Sequence, residues 1–330
     1  MRTPSRSRHW LRGIPTRMSL RTLMLLVLVV GGGLGWFALQ RQREAHRKWV
    51  IATIQASGSS VDFDDLGISR ISWFGGSANP AVLPQRPLTA DEIDAMGSCD
   101  RLRELVMIAA VMNDDGLAAL SHDRLLERLY GFKPKITDAG VKQLANLAGL
   151  KTLELLRVPE LTDATLAHIA GLTNLEEITL SGTGIAGSGL IHLTGLGKLK
   201  SLTIPGSPLD DAAQANIGRL TSLQKLYIGG GGSYTDTGIA SLSSLTALTE
   251  LGMGSDGCTD ACLANLARLT NLRILNIDGP QLTDAWLDRV AAMKSLREVQ
   301  IWGAQVSDEA IARLHRSLPE VQIYVDGRPR

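Results

Sequence analysis

The apolar positions of this 330-residue chain repeat. In one stretch Ile136, Val141, Leu144 and Leu147 fall three to five residues apart, the stripe of a short helix. Leu150, Leu153 and Leu155 follow as L-x-x-L-x-L, and the last pair alternates with the period of two that a strand requires. The unit recurs with Met112, Ile136, Leu161, Ile185, Leu209, Tyr234, Cys258, Leu282 and Val306 as its first residue, at steps of 24 or 25. A period of this size is the signature of a stacked solenoid. Strand pairs are predicted at Leu105/Met107, Ile178/Leu180, Leu202/Ile204, Leu226/Ile228, Leu251/Met253, Leu275/Ile277, Val299/Ile301 and Val321/Ile323. Seventeen residues separate helix start from strand, for example Leu161 to Ile178, but Val306 to Val321 is 15, so the last unit is expected to be shortened.

Polar positions repeat as well. Most units follow the first apolar residue with Thr-Asp, either of which can accept a hydrogen bond from the free amides of the next helix, with the acid well placed at the positive end of the dipole. Gly182, Gly206, Gly230, Gly279 and Gly303 come two residues after the strand pair and are read as sharp turns. Two units depart from the pattern and are expected to be the least regular: Ile185-Ala-Gly lacks the acid, and Gly131 replaces an apolar strand residue. Upstream the register continues to Leu88-Thr-Ala-Asp and a strand at Ile71-x-Trp73, separated by an insert of ten residues around Gly75–Pro87 with Pro80, Pro84 and Pro87. A capping strand is predicted at Val61-x-Phe63, for about eleven stacked strands, and Arg41–Ala56 reads as a helix with Trp49, Val50 and Ile54 apolar, ended by Ser57-Gly58.

The L-x-x-L-x-L units, carried in the form Leu-Thr-Asp-Ala-x-Leu, resemble the leucine-rich-repeat family, and in particular its bacterial members with an N-terminal membrane anchor. Met18-Ser-Leu-Arg-Thr-Leu-Met-Leu-Leu, the run ending Leu34-Gly-Trp36, and the C-terminal segment Leu314 to Ile323 are similar to that group. The resemblance implies an α/β solenoid: a curved stack with parallel strands on the concave face and short helices on the convex face. It implies no catalytic residue.

Charge divides the chain. Residues 1–48 hold ten basic residues and one acid, whereas the remainder holds 24 basic and 32 acidic residues. An acidic body argues against nucleic-acid binding, which needs a basic face. The basic head flanks Thr22–Leu39, eighteen residues without a charge, which as a helix reach roughly 27 Å, enough for a bilayer core. Trp36 and Phe37 stand where interfacial aromatics belong. A cleavable signal peptide is the competing reading, but Phe37-Ala38-Leu39-Gln40 is a poor cleavage site. The expected organisation is a basic tail over 1–21, a transmembrane anchor over 22–40, a juxtamembrane helix, cap and proline-rich insert over 41–87, and a solenoid of about ten units over 88–330. Six basic residues before the span against four after it favour a cytoplasmic N-terminus and an extracytoplasmic solenoid. Gly31 and Gly35 would let two such helices approach, or simply belong to a lone anchor.

Residues flanking each buried strand pair set the concave face. Two places stand out there: an apolar one at Val106, Ile108, Tyr130, Phe132 and Leu156, and a C-terminal one at Glu298, Gln300, Trp302, Glu320, Gln322 and Tyr324, with Tyr227 between them. Aromatic residues in a polar rim have the composition of binding hot spots. The competing readings are contact with the Gly75–Pro87 insert and cover for the last open strand. The Asp ladder (Asp114, Asp138, Asp163, Asp211, Asp236, Asp260, Asp284, Asp308) offers one carboxylate per turn, whereas calcium wants six to eight converging oxygens, so capping is expected. His168 and His192, one repeat apart, fall in an exposed polar column with Gln143, Asn216, Asn265 and Arg289 and are too few for zinc. Gly229–Gly232 lacks the Gly-Lys-Ser/Thr of a phosphate loop and reads as a widened turn. Cys99 and Cys258 read as buried apolar groups, and a Cys258–Cys262 bridge needs an oxidising compartment. No nucleophile–His–acid spacing occurs. The sequence therefore predicts a membrane-anchored module, without cofactor, metal or catalysis, that binds a protein or other macromolecule. A structural envelope array is the alternative; an enzyme would need a convergent pocket near the insert.

Overall fold

The computed structural model describes residues 41, 45, 48–53, 55, 60–64, 67–73, 86–99, 102–108 and 110–330 except 255. The segment Thr22–Leu39 and most of the Gly75–Pro87 insert lie outside the described residues, and among those described no helix is long and apolar enough to cross a membrane. The chain divides into two compact units, Met1–Ile51 and Ala52–Arg330. In the first, residues 48–51 are helical, with Trp49 exposed and Val50 buried.

The second unit is built on one sheet. Its members are β1 (Ser60–Asp64), β2 (Gly67–Trp73), β4 (Glu104–Met107), β6 (Arg128–Phe132), β7 (Thr152–Leu156), β8 (Glu177–Ser181), β9 (Ser201–Pro205), β10 (Lys225–Gly229), β11 (Glu250–Gly254), β12 (Ile274–Asp278), β13 (Glu298–Trp302), β14 (Gln322–Val325) and β15 (Arg328–Pro329), stacked in chain order. From β2 to β14 all pairs are parallel, and β1 and β15 close the two ends antiparallel. A separate short ladder joins β3 (Arg86–Pro87) to β5 (Ala110–Val111). The predicted Ile71 and Val61 strands are therefore present, with Ile71 opposite Leu105.

The register explains the period. Leu153 pairs with Ile178, Leu202 with Leu226, and Leu275 with Val299, so like residues stack on like. Strands such as β7 and β9 alternate half-exposed and buried side chains. Leu105, Leu153, Ile178, Leu202, Leu226, Leu251, Leu275 and Val299 are all fully buried, at about 1.5–3 kcal/mol of hydrophobic stabilisation per side chain. One expectation fails here. Val299 pairs with Ile323 and Ile301 with Val325, so the last buried pair is Ile323/Val325, not Val321/Ile323. The last unit is not shortened: its helix, Asp308–Ser317, is longer than the others, and the loop after it loses what the helix gains.

The return segments are short helices, for example Asp163–Ile169 and Asp284–Val290. Helices of this length do not hold in isolation, and here caps and packing hold them. Thr137, Thr162, Thr235 and Thr283 each accept from the amide two residues on, and Thr89 forms a full capping box with Glu92. The acid does something else. Asp211 accepts from the amide and hydroxyl of Thr235 in the next unit (2.7 and 2.9 Å) and from the Gly238 amide (3.1 Å). Asp114, Asp138, Asp236, Asp260 and Asp284 do the same to Thr137, Thr162, Thr259, Thr283 and Ser307. Each threonine hydroxyl thus donates backward to one unit while capping its own helix. The Asp ladder ties units together instead of capping helices from within, and amide and hydroxyl donors occupy the lone pairs a cation would need.

Turns out of the strands adopt positive φ at Gly182, Gly206, Gly230 and Gly303, but also at Lys133 and Arg157, while Gly279 does not. The turn therefore tolerates a side chain where it faces solvent. The Gly131 unit is regular, because Leu155 Cδ2 and Pro134 Cγ stand 3.3 and 3.4 Å from where a Gly131 β-carbon would be and fill the space. The Ile185 unit is irregular as expected. Its return segment is a 3-10 helix, Ser188–Gly195, entered through Gly187 at φ 108. The Gly229–Gly232 turn is widened to seat Tyr234: a β-carbon on Gly232 would lie 2.6 Å from the ring, and the buried hydroxyl donates to the Gly254 carbonyl at 2.9 Å. The three cysteines are buried free thiols, so Cys258 and Cys262 are not bridged, and burial pushes both up to about 12.

One residue opposes the fold. Gln214 is fully buried with both amide atoms unpartnered, where other units place Leu117, Val141, Leu166, Leu190, Ile239, Leu263, Leu287 and Ile311. Burying an unsatisfied amide costs about 1–3 kcal/mol. Gln214→Leu is expected to raise stability by that amount, read as a higher urea midpoint at unchanged slope.

Candidate interaction face

The strand residues that point away from the helices form an open face. Its central column runs Val106, Tyr130, Glu154, Thr179 and Thr203 along β4 to β9, then Tyr227, Gly252, Asn276, Gln300 and Tyr324 along β10 to β14. The shifted final register moves the last strand. Tyr324, not Gln322, stands beside Gln300, and Gln322, not Glu320, stands beside Glu298. Glu320 precedes β14 and lines a separate hollow with Lys294 and Arg297, so it leaves the predicted C-terminal cluster.

At the N-terminal end Val106, Ile108 and Tyr130 come together around a cavity of about 170 Å³, with Glu104, Arg128, Thr152 and Glu154 on its rim. Phe132 and Leu156 do not line it. Phe132 is buried, and Lys133 and Arg157, thrown outward by their left-handed turns, hold their cations 5.6 and 5.5 Å from its ring centre. Burial, with the Glu154 charge beside it, pushes the Tyr130 phenol up. Burial and the neighbouring Glu177 push the Glu154 carboxyl up as well. Both shifts mark a partly desolvated surface that favours neutral forms.

At the C-terminal end Gln300 Nε2 donates to Glu298 Oε1 at 2.6 Å, and the Tyr324 hydroxyl donates to Gln322 Oε1 at 3.3 Å. Trp302 is 43% exposed, and its ring lies 3.0 Å from where a Gly327 β-carbon would stand. The terminal hairpin therefore supports it from one side. Tyr227 belongs with Trp302: the two border a second cavity of about 180 Å³ floored by Gly252 and Gly254, with Asn276 and Asp278 on its wall. Its hydroxyl donates to Glu250 Oε2 at 3.1 Å, and burial together with that carboxylate pushes it up to about 12. Glu250 also holds Lys225 at 2.7 Å. Asn276, Asp278 and the glycine floor were not singled out in the sequence. The signal was there, in glycines at Gly252 and Gly254 where other strands carry side chains, but only pairing shows that they face one hollow.

On the helix side, Asn216, Asn265 and Arg289 each donate to a main-chain carbonyl of the preceding unit, at Gly187, Asp236 and Asp260. The column holding His168 and His192 thus serves stacking between units. Among the described residues no three metal-binding side chains converge.

Solved structures share this architecture. An internalin from Listeria monocytogenes superposes with a TM-score of 0.52 at 18% identity, covering 84% of this chain and 89% of its own. The fold is a leucine-rich-repeat solenoid. Internalin C2 from the same organism aligns at 23% identity over 65% of this chain and 84% of its own, with a TM-score of 0.46. A leucine-rich-repeat protein of Leptospira interrogans aligns at 14% identity over 70% and 74%, with a TM-score of 0.43. No protein-family model and no curated protein matches the chain.

Proposed function

We propose that this chain is a binding module that recognises another macromolecule, a protein above all, through the open, concave face of its sheet, held outside the cytoplasm by the Thr22–Leu39 anchor. The observation that carries the reading is the cavity at Val106, Ile108 and Tyr130, apolar at its centre and rimmed by Glu104, Arg128, Thr152 and Glu154. An apolar hollow with an aromatic wall inside a polar rim is where binding energy concentrates. Recognition would be by shape and polar complementarity, with no bond made or broken. The anchor reading rests on the uncharged run and its basic flanks, and the side of the membrane on their six-to-four imbalance.

The test is capture of partners from the source cell's envelope extract by the full chain in mild detergent. Tyr130→Ala is expected to cost about 2 kcal/mol or more of binding, the loss typical of a central hot-spot aromatic, while circular dichroism and melting stay unchanged. Capture that persists with Tyr130→Ala and Trp302→Ala together would instead favour a structural array without a discrete partner.

A further inference from the structure

The depression between Tyr227 and Trp302 differs in chemistry from the one at Tyr130. Its floor is main chain. A β-carbon on Gly252 would fall 2.3 Å from Tyr227 Cδ1, and one on Gly254 would fall 2.8 Å from Asp278 Cβ, so no side chain fits there. Tyr227 leans over Gly252, Asp278 leans over Gly254, and Trp302 stands at the far side against the terminal hairpin. The volume, about 180 Å³, is below the roughly 300–1,000 Å³ of sites that hold a whole small molecule. It suits a single side chain.

Charge decides which side chain. The outward-facing charged residues of β11, β12 and β13 are Glu250, Asp278 and Glu298, all acids. Among the described residues the nearby cation on this face, Lys225, is already held by Glu250. Among the described residues Asp278 makes no ion pair, and Asn276 Oδ1 is buried without a hydrogen-bond partner. The hollow therefore offers a carboxylate and two aromatic side chains, and none of its lining residues is a cation. At the other end of the same face, Phe132 already has two cations from its own chain beside its ring. A cation between aromatic faces gains about 0.5–2 kcal/mol, more as it is desolvated, and a carboxylate adds a charge-assisted hydrogen bond.

We propose that the Tyr227–Trp302 depression receives a cationic side chain, arginine before lysine, from a basic segment of the partner polypeptide. The inference rests on the interaction reading above and names the chemistry of one of its contacts. A planar guanidinium can lie against an indole while giving two parallel N–H donors to the exposed Asp278 carboxylate, which an ammonium on a flexible stem does less well. An acidic partner segment would meet the Asp278 and Glu298 carboxylates and be repelled.

The test uses the full chain and three probes: acetyl-Gly-Arg-Gly-amide, the same peptide with neutral citrulline, and N-acetylglucosamine as a hydroxyl-rich neutral ligand. Tryptophan emission is the readout, and Trp302→Phe identifies its source. The expected result is a saturable change with the arginine peptide that vanishes in Trp302→Phe. Binding should weaken at least tenfold for citrulline and for Asp278→Asn. It should be unchanged in Asp115→Asn, which removes the same charge from a helix at the other end of the solenoid. Equal binding of citrulline, preference for the sugar, or indifference to Asp278→Asn would overturn the proposal. So would absence of any response to arginine. In that last case partner capture that still depends on Tyr130 would leave the interaction reading standing, so the two failures are separable.

Discussion

Gly187→Asp destabilises the chain by about 3 kcal/mol or more, although it restores the acid that the Ile185 unit lacks. Two costs combine. Gly187 sits at φ 108, where a side chain is strained by about 1–3 kcal/mol. A β-carbon there would lie 2.2 Å from Ala213 Cβ and 3.0 Å from Ala213 Cα, a clash relieved only by moving the helix Asp211–Ile217. Overpacking of this kind costs about 1–3 kcal/mol more. The new carboxylate would also displace the Gly187 amide from Asp163, now at 3.0 Å. In a solenoid, stability is carried by the contacts between neighbouring units, so the damage stays local. Amide exchange should accelerate first in residues 188–195 and 211–217, and the melting temperature should fall by roughly 6–12 °C at 2–4 °C per kcal/mol. A Gly187→Asp variant as stable as the parent would mean that the ladder, not the close approach of Ala213, dominates this seam.

The seam is weak for several reasons at once. The regular aspartate bond is missing, the return segment is a 3-10 helix, and the unsatisfied Gln214 lies in the next helix. It is bridged by the buried hydroxyl pair Thr183–Ser207 at 3.0 Å and by Asn216 donating to Gly187.

Where the ladder is intact, removing one rung is expected to be nearly as costly. Asp138 accepts from the Thr162 amide at 3.0 Å, from the Thr162 hydroxyl at 2.6 Å and from the Thr165 hydroxyl. Thr165 is fully buried. Asp138→Ala strands the buried Thr165 hydroxyl, at about 1–3 kcal/mol, and gives up two charge-assisted bonds from the exposed Thr162 that water only partly replaces, so a loss of about 2–3 kcal/mol is expected. Burial alone would raise the Asp138 carboxyl, but the bonds from Thr162 and Thr165 outweigh it and hold the group below the usual carboxylate range. Asp163 and Asp284 are lowered as well. A carboxyl depressed in the folded state adds stability above its ordinary value, near pH 4, and loses it as pH falls through the folded value. Urea midpoints measured from pH 6 down to pH 3 should therefore converge for Asp138→Ala and the parent. A gap that stays constant with pH would show that the rung acts through packing and not through its charge.

Periodicity alone made the solenoid legible. The buried pair Leu153/Leu155 and its equivalents stack as their spacing of 24 or 25 requires, because parallel strands in register bring identical positions together. Even Ile71 and Val61, beyond a ten-residue insert, could be placed by the same alternation. What spacing could not resolve was any position where two registers score alike. Val321, Ile323 and Val325 alternate, and only pairing with Val299 and Ile301 selects the last two. That choice carried Glu320 off the open face and placed Tyr324 at its centre.

By itself, then, the sequence determined the repeat, the direction of the sheet, the caps and the aromatic character of the exposed face, since each depends on residues close in the chain or one period apart. The tertiary structure decided what depends on distances across units. It turned the Asp ladder from a set of caps into ties between repeats, because most of its carboxylates reach a threonine of the next unit, 23 or 24 residues on, and Asp284 reaches Ser307 in the same way. It also joined Tyr227 to Trp302 over Gly252 and Gly254. Two strands, β11 and β12, separate those rings, and no local pattern records which side chains a missing β-carbon allows to meet.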